Sequence, residues 1–569
     1  MQTDKQQRLL RAALSLLILA PYLLAAIIAT DLGTVPMRLL YLLCGTMWFL
    51  LPALLLRPRA FFTFHSITLL TGLVETVHLV LYHATTSLLF VNTIFIAEPG
   101  EFLELCSTGW PIALLALMLF GGYFWIIFNK IDNQTPLFSH RGRRILGCAE
   151  LLMGIMLFGA ISSDGIARHH LVFPIHNERH EGVVTRVQPL NMLHHAIDIV
   201  QLHRQIDATA QQLENFTFGI KPTATPQGET IVLVIGETAR YGNFGINGYP
   251  RNTTPRLQQR TNLISFDSVY AVANLTTVSV PLMLSPATPQ TAANYIHQKS
   301  LPEAFAEARY TTAWIADQSF GNQFLMRISG NCDYTHYIPS GDECYDINLL
   351  HYLQPLLDTA QQSQFVVLHS LGCHYKYNCR YPADSAAFLP DLNTRPDIEE
   401  LTMNLREATI NRDKNVLIDE VRNILVNSYD NAIRYTDFFL DSTINMLQKT
   451  ERPCLLLYIG DHGENLLDDD RHMLLHGTYS GSAYEFHVPM IVWYSDSYAR
   501  KYPSEIENLQ QNKRSKTSSM TLFATMLQLG HVPYPKLNAA QSLASPTFAP
   551  DSIVYGLDAN LQVVEIPLE

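Results

Sequence analysis

Five apolar stretches dominate the first 162 residues: Leu9–Thr30, Met37–Leu56, Phe61–Ala84, Trp110–Phe128 and Ile145–Ser162. Each is long enough to cross a hydrocarbon layer about 30 Å thick, so the pattern predicts five transmembrane helices. The third carries His65, Glu75, His78 and His83, which suits a membrane helix whose polar groups face the bundle interior or a water-filled groove. Positive charge collects before the first span (Lys5, Arg8, Arg11), after the second (Arg57, Arg59) and between the fourth and fifth (Lys130, Arg141, Arg143, Arg144). The positive-inside bias therefore puts the N-terminus in the cytoplasm and everything after Ser162 on the far side. The first span has no small-residue cleavage site and is followed at once by a second, so it reads as an anchor and not a removed signal peptide.

Beyond residue 162 the pattern changes. Residues 163–227 form a connector in which Leu193, Ile197, Val200 and His203 or Arg204 recur at helical spacing. This predicts an amphipathic helix, lying at the membrane interface or packed on the soluble domain. Residues 228–569 hold short continuous apolar runs at Ile231–Ile235, Thr311–Ile315, Phe365–Leu368, Cys454–Ile459 and Val488–Trp493, with a helical periodicity over Asp419–Leu447. Runs of that kind fit strands buried on both faces of a mostly parallel sheet flanked by helices, an α/β domain.

Composition agrees with a chain divided between lipid and water. Of 569 residues only 16% are charged while 48% are hydrophobic, against about 25% charged in an ordinary soluble domain. The net charge of −12 argues against broad nucleic-acid binding. Cys332/Cys344 and Cys373/Cys379 are polar-flanked pairs in an extracytoplasmic domain and read as two short-loop disulfides, with metal binding the weaker alternative.

Three of the predicted strands end in polar clusters: Glu237-Thr238, His369 to His374, and Asp461-His462-Gly463-Glu464. Ligands of open α/β sheets sit at the carboxyl ends of the strands, so the three clusters converge on one site. A carboxylate from one strand and an Asp-His pair from another suit Zn2+, and tolerate Mn2+.

Taken in order, Gly236-Glu-Thr-Ala-Arg240, Asn247-Gly-Tyr-Pro-Arg-Asn-Thr-Thr-Pro-Arg256, Ser279-Val-Pro281, Ser428-Tyr-Asp-Asn431, Gly460-Asp-His-Gly-Glu464 and Leu475-His-Gly477 resemble the phosphoethanolamine transferases of Gram-negative bacteria. These are inner-membrane enzymes of the alkaline phosphatase and sulfatase superfamily that decorate lipopolysaccharide, the polymyxin-resistance enzymes among them. The resemblance implies a five-helix transmembrane bundle (1–162) and a periplasmic sulfatase-like catalytic domain (228–569). It also implies Zn2+ ligands at Glu237, Asp461 and His462, with a second ion possible. The nucleophile falls on Thr276, five residues before Pro281, with Thr277 as its rival and Asn274-Leu-Thr-Thr277 also readable as a helix N-cap. A threonine hydroxyl is a poor nucleophile until a metal or base activates it, which fits that assignment. Substrate-binding positions fall on His374, His476 and Gln318, with His472 an alternative to His476, while His369, His487 and Glu464 fit supporting positions.

The implied reaction moves phosphoethanolamine from phosphatidylethanolamine, through a covalent phosphothreonine, to lipid A, a core sugar or another periplasmic glycan. Val272 and Leu282 stand where the polymyxin-resistance enzymes have a disulfide, and no lysine follows Gln318 in the position some members use; both differences bear on the acceptor. Two rival activities share the fold. A formylglycine sulfatase needs C/S-x-P-x-R, and Ser279-Val-Pro-Leu-Met283 lacks the Arg. A glycerophosphate polymerase shares anchor and fold and differs in product. A metal-free binding protein on the same scaffold is the non-enzymatic alternative.

Overall fold

The computed structural model describes residues 4–29, 32, 35–82, 85–86, 91, 114, 117–163, 186–213, 215–221, 228–317, 323–338, 345–360, 362–398, 415–478, 481–558 and 561–566. Two compact units emerge, Met1–Pro174 with Glu178–Leu202, and Ile175–Asn177 with His203–Glu569.

In the first unit, α1 (Asp4–Ile28), α2 (Val35–Leu50), α3 (Ser66–Tyr82) and α4 (His140–Ser163) are helices. Among the described residues three helical segments are long and apolar enough to cross a membrane: Asp4–Ile28, Met37–Leu54 and Pro58–Val80. The expected span Trp110–Phe128 lies partly outside the described residues, and Leu117–Asn129 is a shorter apolar helix. The expected span Ile145–Ser162 falls within helix α4. The polar groups of the third span do face inward: His65, Glu75 and His78 are buried. Glu75 accepts hydrogen bonds from the Thr86 amide and from Asn191 Nδ2 at 3.0 Å, which answers the desolvation that a carboxylate meets in such a place.

The connector contains helix α5 (Leu190–Leu213), and the division between the units falls inside it. Its Leu193, Ile197 and Val200 are exposed while Asn191 and His195 are buried. The apolar stripe thus faces away from the protein, the reverse of a helix packed by that stripe on a soluble domain.

The second unit is built on a seven-stranded sheet of β1 (Thr230–Gly236), β2 (Leu263–Phe266), β3 (Thr311–Ala316), β4 (Tyr334–Tyr337), β5 (Gln364–His369), β6 (Cys454–Gly460) and β7 (Met490–Tyr494). The spatial order is β2-β7-β6-β1-β5-β3-β4. Strands β6, β1, β5, β3 and β4 run parallel, whereas β7 is antiparallel to both its neighbours. Every residue of β1, β5 and β6 is buried, as their unbroken apolar runs require. After helix α6 (Thr276–Met283), helix α7 (Asn415–Lys449) packs Val421, Leu425, Tyr429, Ile433 and Leu440 into the same hydrophobic cluster as Val232, Val234, Val366 and Leu456.

The cysteines depart from expectation. Cys373 is an unbonded, buried thiol and makes no disulfide with Cys379. Its amide donates to Glu237 O at 3.0 Å and its side chain lies in the main hydrophobic cluster, whereas Cys379 is exposed. Cys344 lies outside the described residues.

Candidate active site

The parallel register sets the site. Gly236 pairs with Gly460 across β1 and β6, so the residues that follow, Glu237 and Asp461, emerge side by side at the carboxyl edge of the sheet. Both glycines sit in close quarters: a Cβ on Gly236 would come 2.4 Å from the Tyr458 hydroxyl and force the ring to move, and one on Gly460 would be tight at 3.1 Å from Ala239 O. The amide of Asp461 donates to Gly236 O at 2.9 Å. Oδ1 of Asp461 accepts from the amides of Thr238 (3.0 Å) and His462 (2.7 Å). Thr238 holds φ at 56°, a strained backbone for a β-branched residue. Tyr429 fixes that turn from α7, its hydroxyl donating to Thr238 O at 2.6 Å and accepting from the Arg240 amide at 2.9 Å.

Thr276 opens the helix α6 (Thr276–Met283) with Leu275 as the N-cap. Asn274 does not cap it, because its Oδ1 accepts no hydrogen bond, while its Nδ2 donates to Thr478 O and Glu485 Oε1. The Thr276 hydroxyl is 3.0 Å from both carboxylate oxygens of Glu237 and 3.0 Å from His462 Nε2. Ser279, one turn on, donates from Oγ to Asp461 O at 2.7 Å and ties this helix to the end of β6. The Nδ1–H of His462 donates to Gly463 O at 2.9 Å, which turns Nε2 toward Thr276 and the Glu237 carboxylate.

Two groups of possible metal ligands share Glu237: Glu237, Asp461 and His462, and Glu237, His374 and His476, each with donor atoms within 4.8 Å of one another. Glu237, Asp461 and His462 are all but inaccessible to solvent, and Asp461 Oδ2 meets no hydrogen-bond donor. Burial resists the charge on each. For Glu237 the hydrogen bond and charge of His462 outweigh it and hold the carboxyl well below its usual range. Asp461, pressed by burial and then by the Glu237 charge, is pushed up to about 7. His462, desolvated but facing both carboxylates, is raised to about 10. A buried pair of carboxylates with an orphaned oxygen calls for added positive charge, and the oxygen and imidazole donors fit Zn2+.

His374 and His476 stand at the outer side. Burial lowers both, His476 to about 3 with the His462 charge adding to the effect, which favours the neutral form of each imidazole. The His374 Nδ1–H donates to Tyr375 O at 2.6 Å, and that of His476 to Glu464 Oε1 at 3.2 Å. The His476 ring centroid lies 4.2 Å from His462 and 6.1 Å from His374. His472 belongs to neither ligand group, and Gln318 lies outside the described residues. His369 is buried in the sheet and His487 is stacked 4.1 Å from Tyr241.

Sequence reading did not find the parts that hold His374 in place. Gly372 has φ at +50°, and a Cβ there would come 2.7 Å from Glu237 O, so only glycine lets this loop lie on Glu237. Asp346, from 25 residues earlier, accepts from the amides of Leu371 (2.8 Å) and Gly372 (3.2 Å). No periodicity or motif marks such a contact in the sequence.

Residues 229–532 match the sulfatase family model. The chain belongs to the sulfatase family. Its sulfatase domain is similar to that of phosphoethanolamine transferase EptA from Escherichia coli (strain K12), with 30% identity over 330 residues, 55% of each chain. The chain thus matches about half the length of such curated relatives. The periplasmic domain of EptC from Escherichia coli superposes with a TM-score of 0.52 at 25% identity, covering 61% of this chain and 95% of that domain. The integral membrane protein lipooligosaccharide phosphoethanolamine transferase A (EptA) from Neisseria meningitidis gives a TM-score of 0.63 at 19% identity over 93% of this chain and 97% of that one, a likeness of fold.

Proposed function

We propose that the chain transfers phosphoethanolamine from phosphatidylethanolamine to lipid A, a core sugar of lipopolysaccharide or another periplasmic glycan. The supporting observation is the Thr276 hydroxyl, 3.0 Å from Glu237 and His462 at the first turn of a helix, where backbone amides and the helix dipole favour a phosphoryl anion. The similarity to phosphoethanolamine transferases EptA and EptC supports the group transferred.

In this reading Thr276 Oγ attacks the phosphorus and the P–O bond to diacylglycerol breaks. The threonine proton passes through Nε2 of a neutral imidazole, His374 or His476, to the departing oxygen. An acceptor oxygen then attacks the phosphothreonine, the bond to Thr276 breaks, and the hydroxyl is restored with the acceptor's proton. Glu237, Asp461, His462 and Thr276 would hold Zn2+, with a second ion possible at Glu237, His374 and His476. Bound there, the metal supplies Lewis-acid charge that activates the hydroxyl and neutralises phosphoryl oxygens.

The anchor belongs to the same reading: five spans with the N-terminus in the cytoplasm and the catalytic domain in the periplasm, so that donor, acceptor and enzyme share one membrane surface. The exposed stripe of Leu193, Ile197 and Val200 supports a connector helix lying against lipid. Thr276→Ala should abolish diacylglycerol release from phosphatidylethanolamine while the purified variant still binds zinc. Turnover retained in that variant would remove Thr276 as nucleophile.

A further inference from the structure

At the end of β3 stands a carboxylate that the chemistry above leaves unused. Asp317 is 4% exposed, its amide donates to His369 O at 3.0 Å, and its Oδ2 meets no hydrogen-bond donor. Two charged groups stand near it, Asp346 and Arg380. Asp346 is equally buried, but its carboxylate accepts from the amides of Leu371 and Gly372. Arg380 donates from Nε to His374 O at 3.0 Å. Burial, and then the Asp346 charge, push the Asp317 carboxyl up to about 7 against the opposing pull of Arg380. A buried carboxylate oxygen with no donor is a costly arrangement that an incoming cation relieves. A metal ion is not the match, since Asp317 and Asp346 belong to neither group of possible metal ligands among the described residues.

The position suits the donor's headgroup. The sheet order β1-β5-β3 puts Asp317 two strand spacings, about 10 Å, from Glu237. The loop carrying His374 leaves β5 between them. In phosphoethanolamine the nitrogen lies four bonds from phosphorus, each of about 1.5 Å. Extended, that arm spans about 5 Å; with the Asp317 side chain and an ammonium–carboxylate contact of about 2.8 Å, it matches a separation of about 10 Å.

We propose that Asp317 binds the primary ammonium of the ethanolamine headgroup and thereby selects a donor that carries an ammonium over one that lacks it. The inference rests on the donor named under Proposed function. It predicts a residue that governs headgroup preference without taking part in bond making.

The test uses the full-length enzyme in detergent micelles, with diacylglycerol release measured from phosphatidylethanolamine and from phosphatidylethanol, which has the same length of arm without the charge. Wild type should prefer phosphatidylethanolamine. Asp317→Asn should raise KM for that donor about 10- to 100-fold, the range of a hydrogen bond to a charged group, and leave turnover of phosphatidylethanol unchanged. That second rate also reports whether the variant is folded. Equal loss on both donors would make Asp317 structural and overturn the inference, and an unchanged preference would overturn it as well. Absence of release from phosphatidylethanolamine by wild type would instead remove the donor reading, and the inference with it.

Discussion

At the scale of single residues, the sulfatase domain stabilises the charges that it needs and strains the backbone that carries them. Glu229, just before β1, shows the first. Burial opposes its charge, but Lys501, Ser363 and the Tyr502 hydroxyl outweigh that and lower the carboxyl to about 2. Since the folded value lies below the usual carboxylate value of about 4.3, the stabilisation is whole above about pH 5 and is lost as the pH falls toward 2. Glu229→Gln should therefore lower Tm near neutrality, and the gap to wild type should narrow between pH 5 and pH 3 in thermal melts. A gap independent of pH would mean that the charge contributes nothing. Glu237 and the Asp461-His462 pair are legible in the sequence because they stand at the ends of unbroken apolar runs. Asp346, Asp317 and Tyr429 are not, because their importance comes from contacts across long stretches of chain.

At the scale of elements, the five buried runs became β1, β3, β5, β6 and β7, and the periodicity over Asp419–Leu447 became a helix from Asn415 to Lys449. Strands β2 and β4 escaped notice because they lie at the sheet edges and are only partly buried, so their sequences carry no continuous apolar run. The short-loop pairing of Cys373 with Cys379 failed for a related reason: spacing suggests closeness, but the loop over Glu237 turns Cys373 into the core. That loop offers a sharp test. Gly372→Ala places a Cβ at +50° in φ and 2.7 Å from the Glu237 carbonyl. The left-handed backbone alone costs about 1–2 kcal/mol, and the loop must move off Glu237. Stability should fall by at least that amount in denaturant melts, and phosphoethanolamine transfer should fall by more than the loss of folded protein explains. A variant with wild-type transfer would show that the seating of His374 on Glu237 is dispensable.

At the scale of the whole molecule, hydropathy gives a membrane anchor, and the arrangement of Lys and Arg underlies the orientation proposed for it. The described helices supply three segments able to span, and the buried Glu75 with its Thr86 and Asn191 partners explains how a charged residue persists in such a helix. The connector is fastened at its far end by Glu307, which accepts from the Phe218 and Ile220 amides at 2.9 and 2.8 Å; nothing in the sequence foretold that tie. Reporter fusions check the orientation: one at the C-terminus should be active only as a periplasmic reporter, and one at the N-terminus only as a cytoplasmic one. Both ends on the same side would require an even number of spans and contradict the five-span account.

The central claim is a covalent phosphothreonine at Thr276. Intact-mass spectrometry of the purified, zinc-loaded enzyme after incubation with phosphatidylethanolamine, followed by fragmentation across Ala271–Met283, tests it directly. The account predicts one added phosphoethanolamine, located on Thr276 and missing from Thr276→Ala. An adduct on Thr277, or none in a folded enzyme that turns over the donor, would contradict it.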